Sequence, residues 1–157
     1  MISHFEIYLT SENIYLWINF GILPFWLMLI FIPNHRVTEI FVNSIIIPLI
    51  LASTYIYIIY KAILLDISIF EILKLYLSLE ELYTIFATES FLLIFWLHFV
   101  ALNIFIGAWL TKDAIRYGIS RGVTFLPLVL VYFSGPVGLV FYWIIRIFYA
   151  KKIRFHD

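Results

Sequence analysis

The amino-acid sequence predicts an all-α fold: a polytopic membrane bundle of four transmembrane helices with one further amphipathic helix at the interface. Of 157 residues, 64% are hydrophobic and 13% are charged, and the mean hydropathy is +1.05. A soluble domain carries about 45–50% apolar and about 25% charged residues, so this chain has too few charges to cover a water-exposed surface. The composition therefore excludes an ordinary soluble enzyme and a disordered tail.

Charge and cysteine content exclude further classes of function. Ten basic and ten acidic residues cancel, so the chain has no basic field that would attract nucleic acid. The sequence contains no cysteine, which excludes disulfides, thiolate nucleophiles and cysteine-based zinc or iron–sulfur sites.

Four apolar stretches are long enough to cross a bilayer. The hydrocarbon core is about 30 Å thick and a helix rises about 1.5 Å per residue, so a span needs about 20 residues. Helix is the required conformation, because lipid offers no hydrogen-bond partner to an open strand edge. In a single membrane domain over 1–157, the sequence predicts spans at about 13–32, 40–60, 86–110 and 123–149.

The connection between the second and third spans predicts an amphipathic helix over about 66–82. Its polar residues recur at helical spacing and share one face: Glu71, Lys74, Ser78 and Glu81. Such a helix is typical of a segment that lies in the membrane interface. A plain connecting helix with one solvated face fits the same pattern.

The distribution of basic residues gives a weak orientation. With four spans, both termini and the 61–85 connection share one side of the membrane. That side carries six lysines and arginines against four on the other side. Since positive loops stay in the cytoplasm, we expect an integral protein of a bacterial-type inner membrane with both termini cytoplasmic.

Polar side chains inside the spans are the candidate site residues, because burying them in lipid is costly. Counting residues from the helix ends places several at similar depth near the middle of the bilayer, while two others lie nearer one side. We expect those at matched depth to form a site between the helices. They are Asn19, Ser53, Thr54, His98 and Ser134, with Asn43 and Asn103 in the second layer.

Glu89 and His98 are the titratable candidates on the third span. They are nine residues apart, which separates them by about 13 Å along the helix and by half a turn around it. The two side chains are therefore not expected to form one hydrogen-bonded dyad. His98 also fits a packing group with a satisfied hydrogen bond, and Glu89 fits a carboxylate that stabilises a helix N-terminus.

Two further features have structural interpretations. Asp113 and Arg116 are three residues apart and are expected to form a surface ion pair. The segment Ser134-Gly135-Pro136-Val137-Gly138 places two glycines around a proline within the fourth span. It predicts either close helix packing through small residues or a kink that widens a cavity.

A set of short motifs appears in a fixed order along the chain. They are Leu23-Pro24-Phe25-Trp26, Phe86-x-x-Glu89, Trp96-x-His98 and Phe133-x-x-Pro136-Val137-Gly138. In this order and spacing the sequence resembles the abscisic-acid-deficient-four-like family over roughly residues 20–145. The resemblance implies a carotenoid-handling membrane enzyme, because plant members are associated with converting violaxanthin to neoxanthin, an isomerisation that opens an epoxide and forms an allene.

The resemblance also suggests site residues. Glu89, Trp96 and His98 match the family pattern, whereas Asn103 stands where plant members have aspartate, so one acid or metal ligand is missing. Together with the depth count, this gives Glu89, His98 and Asn103 as candidate catalytic residues. The candidate substrate-binding residues are Trp96, Asn19, Thr54, Ser134 and Pro136.

The leading hypothesis is an isomerase-like, neoxanthin-synthase-like enzyme that rearranges a carotenoid end group or polyene. An acid and a base in a dry apolar pocket suit such chemistry, so we expect no cofactor and no resident metal. One alternative is oxidative cleavage of a carotenoid to an apocarotenal such as retinal, which requires iron. Another is a non-catalytic subunit that binds pigment or lipid. The expected partners are the bilayer, a carotenoid or other long apolar lipid, and a second copy or another membrane enzyme, but not nucleic acid.

Overall fold

The protein is described here by a computed structural model covering residues 10–44, 46–65, 73–74 and 76–150. These described residues form seven helices and no strand. In chain order the helices are α1 Ser11–Phe31, α2 Arg36–Phe41, α3 Ile46–Leu65, α4 Leu79–Phe86, α5 Glu89–Arg116, α6 Arg121–Ser134 and α7 Pro136–Ala150.

Three stretches have the length and apolar character needed to cross a membrane: Ser11–Phe31, Arg36–Leu64 and Glu89–Arg116. They correspond to the first three predicted spans. Large apolar side chains such as Trp17, Phe20 and Phe105 are more than half exposed along them. Such surfaces are costly in water and favourable against lipid tails, so the first three spans agree with the prediction.

The predicted fourth span over 123–149 is not confirmed. This stretch divides at Gly135 into α6 with 14 residues and α7 with 15 residues. At about 1.5 Å per residue each helix is about 21–23 Å long, short of the roughly 30 Å hydrocarbon core. Gly135 has φ +47, a left-handed conformation that favours glycine, and Pro136 has no N–H with which to continue α6.

The chain reverses direction between α6 and α7. A Cβ placed on Gly138 would overlap the backbone nitrogen of Val131, seven residues earlier. In one straight helix these positions would lie about 10 Å apart, so the two helices must pack side by side as a hairpin. Of the two interpretations of the glycine–proline segment, close helix packing therefore describes Gly138.

The amphipathic helix predicted over 66–82 lies partly outside the described residues, which omit 66–72 and 75. Within them, Tyr76 and Leu77 form a turn, and Ser78 caps a new helix by accepting a hydrogen bond from the Glu81 N–H. Ser78 therefore begins α4 rather than lying on the face of a helix that continues to residue 82. α4 buries Ile85.

Backbone contacts divide the chain into two compact units. The first comprises Met1–Gly21 and Leu49–Phe99, and the second comprises Ile22–Pro48 and Val100–Asp157. The candidate site residues are distributed over both, so each unit is described separately.

Candidate functional site

The first unit contains a cavity of about 540 Å³ at the beginning of two helices. Its lining combines two carboxylates, two aromatic rings and two leucines with one serine. They are Ser11, Glu12, Tyr15, Glu89, Leu92, Leu93 and Trp96. Two of the predicted site residues, Glu89 and Trp96, thus lie in one cavity.

Helical spacing explains this lining. Leu92 and Leu93 lie three and four residues after Glu89, and Trp96 lies four and three residues after them, so all four share one face of α5. Glu12 lies in the first turn of α1 and Glu89 in the first turn of α5. The positive end of each helix dipole favours a carboxylate there, so both acids lie where the backbone stabilises negative charge.

Hydrogen bonds fix the indole of Trp96. Its Nε1 donates to Oδ1 of Asn19 at 3.2 Å, and Nδ2 of Asn19 donates to the backbone carbonyl of Tyr15 at 2.7 Å. The Tyr15 and Trp96 rings lie 5.8 Å apart, tilted by 43°. Asn19, predicted to bind substrate, therefore contacts Trp96 and does not itself line the cavity.

His98 and Thr54 lie away from this cavity. His98 is exposed and its ring lies 6.1 Å from that of Tyr55, while the hydroxyl of Thr54 donates to the Ile50 carbonyl at 3.0 Å. Neither residue belongs to the lining. The predicted separation of Glu89 from His98 agrees with this geometry, because only Glu89 faces the cavity.

Asn103, Ser134 and Pro136 come together in the second unit, at the reversal of the α6–α7 hairpin. Nδ2 of Asn103, whose side chain is 4% exposed, donates to the backbone carbonyl of Tyr132 at 3.4 Å. That carbonyl would receive its helical hydrogen bond from residue 136, and Pro136 has no N–H to donate. Asn103 thus supplies the donor that the proline removes, which is a structural role beside the catalytic one predicted for it.

The close packing at this reversal leaves no room for a larger residue. A Cβ on Gly135 would overlap Oδ1 of Asn103. The hydroxyl of Ser134 donates to the Leu130 carbonyl at 3.0 Å, while Pro136 is exposed. Substrate binding by Ser134 and Pro136 stays a prediction.

A buried ion pair in the second unit was missed by the sequence analysis. Nε of Arg146 lies 2.6 Å from Oδ2 of Asp113, and the side chain of Arg146 is fully buried. The Tyr142 hydroxyl donates to the same carboxylate oxygen at 2.7 Å, and Arg146 also donates to the Tyr117 hydroxyl at 3.2 Å. The prediction that Asp113 lies at the surface is therefore wrong, because its carboxylate is buried against α7.

The buried pair left only a weak signal in the sequence. Asp113 and Arg146 are 33 residues apart, so no local spacing connects them. The only available indication was an arginine within a predicted span, where an unpaired charge is costly. Glu12 was missed for a different reason: it was treated as the boundary of the first span.

Possible metal ligands do not converge in the described part of the chain. Within residues 10–44, 46–65, 73–74 and 76–150, no three His, Cys, Asp or Glu side chains are close enough together to hold one ion.

The long apolar helices are typical of a polytopic helical membrane protein, and its first unit contains an aromatic, acid-bearing cavity. The chain matches the ABA4-like family, described as ABA DEFICIENT 4-like, over residues 13–142. It belongs to this family, and the predicted resemblance is confirmed. Neither a curated protein nor a solved structure matches the chain.

Proposed function

We propose that the chain is a carotenoid-modifying membrane enzyme that rearranges one end group of its substrate by acid/base catalysis. Membership of the ABA4-like family points to a carotenoid-related, neoxanthin-related role in the membrane. The observation that carries the proposal is that Glu89 and Trp96, both in motifs of the resemblance, line a single cavity.

The size and opening of the cavity suit an end group rather than a whole carotenoid. Its volume of about 540 Å³ falls within the range of about 300–1,000 Å³ that is usual for small-ligand sites. Four of its lining residues, Glu12, Tyr15, Glu89 and Leu92, are exposed, so the cavity is open to its surroundings. A cyclic end group would occupy the cavity, and the polyene would extend outward along apolar surface.

The two carboxylates supply an acid and a base for the isomerisation. Glu89, as the acid, protonates the oxygen of an epoxide end group, and the C–O bond breaks with its electron pair remaining on oxygen. Glu12, as the carboxylate base, takes a proton from the adjoining polyene, and the C–H electron pair forms the new double bond. One proton is added and one is removed, so the step needs neither oxidant nor reductant.

The aromatic rings have a role in the same step. Breaking the C–O bond leaves positive charge on carbon, and the faces of Tyr15 and Trp96 attract a cation through their negative quadrupoles. The hydrogen bond from Trp96 to Asn19 holds the indole in place, so this stabilisation is preorganised. In this mechanism Glu12 takes the role predicted for His98, which lies outside the cavity lining.

The test is pigment conversion in a bacterial host that accumulates an epoxy-carotenoid. Replacing Glu89 by glutamine keeps the shape of the side chain and removes its acid, so conversion should fall by about 10²–10⁴-fold. Glu80→Gln is the matched control, because Glu80 is exposed on α4 outside the cavity lining. His98→Ala should also retain activity.

Three outcomes would contradict the proposal. Unchanged conversion by Glu89→Gln would show that the cavity acid takes no part in the reaction. Pigment that purifies with the protein and is never altered would favour a non-catalytic binding subunit. Apocarotenal products together with protein-bound iron would favour oxidative cleavage.

A further inference from the structure

The α6–α7 hairpin begins and ends at the same end of α5. Residues 121 and 146 lie at its open end, where Arg146 pairs with Asp113, one turn before the end of α5. Its tip lies beside Asn103, which hydrogen-bonds to Tyr132. The ten residues from 103 to 113 correspond to about 15 Å of helix, so the hairpin extends partway along α5 and then returns.

Two sets of contacts hold the hairpin in this position. At the tip, Gly135 lies against the side chain of Asn103, and Gly138 lies against the backbone of Val131. A larger residue at either glycine would overlap these atoms. At the open end, Asp113 receives hydrogen bonds from Arg146 and Tyr142, both on α7. A straight fourth span would carry Arg146 away from Asp113 and break a buried ion pair, which is strongly unfavourable.

The hairpin reassigns the basic residues to the two sides of the membrane. Arg121 donates to the Phe31 carbonyl at 3.3 Å, so the start of the hairpin lies at the C-terminal end of α1. With α7 returning to this side, the side gains the basic residues that follow Ala150 in the sequence. It then carries seven basic residues, Arg36, Lys112, Arg116, Arg121, Lys151, Lys152 and Arg154, against Lys61 and Lys74 on the other.

We infer that α6 and α7 form a re-entrant hairpin, so that the described residues cross the membrane three times. Ala150, at the end of α7, lies on the same side as the loop at residues 117–120. Seven basic residues against two is a clear bias, and the positive-inside rule makes this the cytoplasmic side. This topology replaces the predicted one, in which both termini shared the cytoplasmic side.

The absence of cysteine from the sequence makes this topology directly testable by labelling. Three single-cysteine variants of the full chain report the three relevant positions: Glu80→Cys before α5, Ser120→Cys before α6 and Asp157→Cys at the C-terminal end. Glu80 and Ser120 are both exposed. Each variant is expressed in bacterial cells and treated with a membrane-impermeant maleimide, before and after permeabilisation. The cysteine-free parent is the blank.

We expect Glu80→Cys to react in intact cells, and Ser120→Cys and Asp157→Cys to react only after permeabilisation. Reaction of Asp157→Cys in intact cells together with Glu80→Cys would mean that the last segment crosses the membrane, and would overturn the inference. Reaction of Ser120→Cys in intact cells would overturn the orientation. None of the three positions belongs to the cavity lining, so pigment conversion by these variants tests the proposed function separately.

Discussion

Replacing Asp113 by alanine removes the carboxylate that pairs with Arg146 inside the second unit. Arg146 is fully buried and would lose a contact of 2.6 Å together with a longer one of 3.4 Å, and the Tyr142 hydroxyl would lose its acceptor at 2.7 Å. Removing one partner of a buried ion pair costs about 3–5 kcal/mol, because the other charge stays buried without compensation. We therefore expect the free energy of unfolding of Asp113→Ala to fall by about this amount.

A double-mutant cycle separates the ion pair from general packing. Arg146→Met alone should also destabilise, because it leaves the Asp113 carboxylate buried without its cation. The double variant Asp113→Ala/Arg146→Met should cost less than the sum of the two single changes, with a coupling of about 2–3 kcal/mol. The purified parent and the three variants are unfolded with denaturing detergent, and tryptophan fluorescence reports the unfolding. Each titration gives the free energy of unfolding of one protein.

Arg116→Met is the matched control for the partner that the sequence predicted. Arg116 is exposed, and an exposed charge usually contributes no more than about 1 kcal/mol. The reasoning would be refuted if Arg116→Met lowered the free energy of unfolding as much as Asp113→Ala. It would also be refuted if the losses caused by Asp113→Ala and Arg146→Met simply added in the double variant.

Three further predictions concern the hairpin tip and the cavity. Gly135→Ala should lower the free energy of unfolding by at least about 1–2 kcal/mol, because φ +47 is unfavourable for alanine. Part of this loss should disappear when Gly135→Ala is made together with Asn103→Ala, because the overlap with Oδ1 of Asn103 is then absent. Equal losses with and without Asn103→Ala would contradict the claim that the Asn103 side chain leaves no room at Gly135. Asn103→Leu should lower the free energy of unfolding by about 1–3 kcal/mol, because it leaves the Tyr132 carbonyl without a donor. The same unfolding titration measures this loss. An unchanged free energy would mean that the carbonyl finds another donor. Asn19→Leu removes the acceptor of Trp96, so pigment conversion should fall about tenfold while stability changes by less than about 1 kcal/mol; unaltered conversion would show that the orientation of the indole is unimportant.

Sequence patterns predicted the spans well because lipid imposes a simple requirement. A run of about 20 apolar residues in a membrane must be helical, and this is sufficient to locate the helices over 11–31 and 89–116. The same requirement misled at 123–149, because one long helix and two short helices have the same composition. The deciding interactions there are Asn103 with Tyr132 and Asp113 with Arg146, which join residues 29 and 33 positions apart.

The candidate site was predictable only in part. Helical periodicity on one segment correctly separated Glu89 from His98, because it depends on spacing alone. Pairing Glu89 with Glu12 requires knowing that the beginnings of two helices lie together. No pattern within either helix carries that information, and the acidic residue at position 12 is equally typical of an ordinary helix start.

The location of the cavity at the first turns of α1 and α5 has a consequence for how a substrate would be approached. Helix beginnings lie near the membrane surface, so Glu12 and Glu89 meet a ligand at the level of the lipid headgroups. A polyene with a polar group at each end can stand upright across the bilayer, with one end in each leaflet. Only one end then reaches the two carboxylates. In the proposed reaction, one binding event would therefore change a symmetrical molecule into an asymmetrical one, and altering its second end would require the molecule to leave and return inverted.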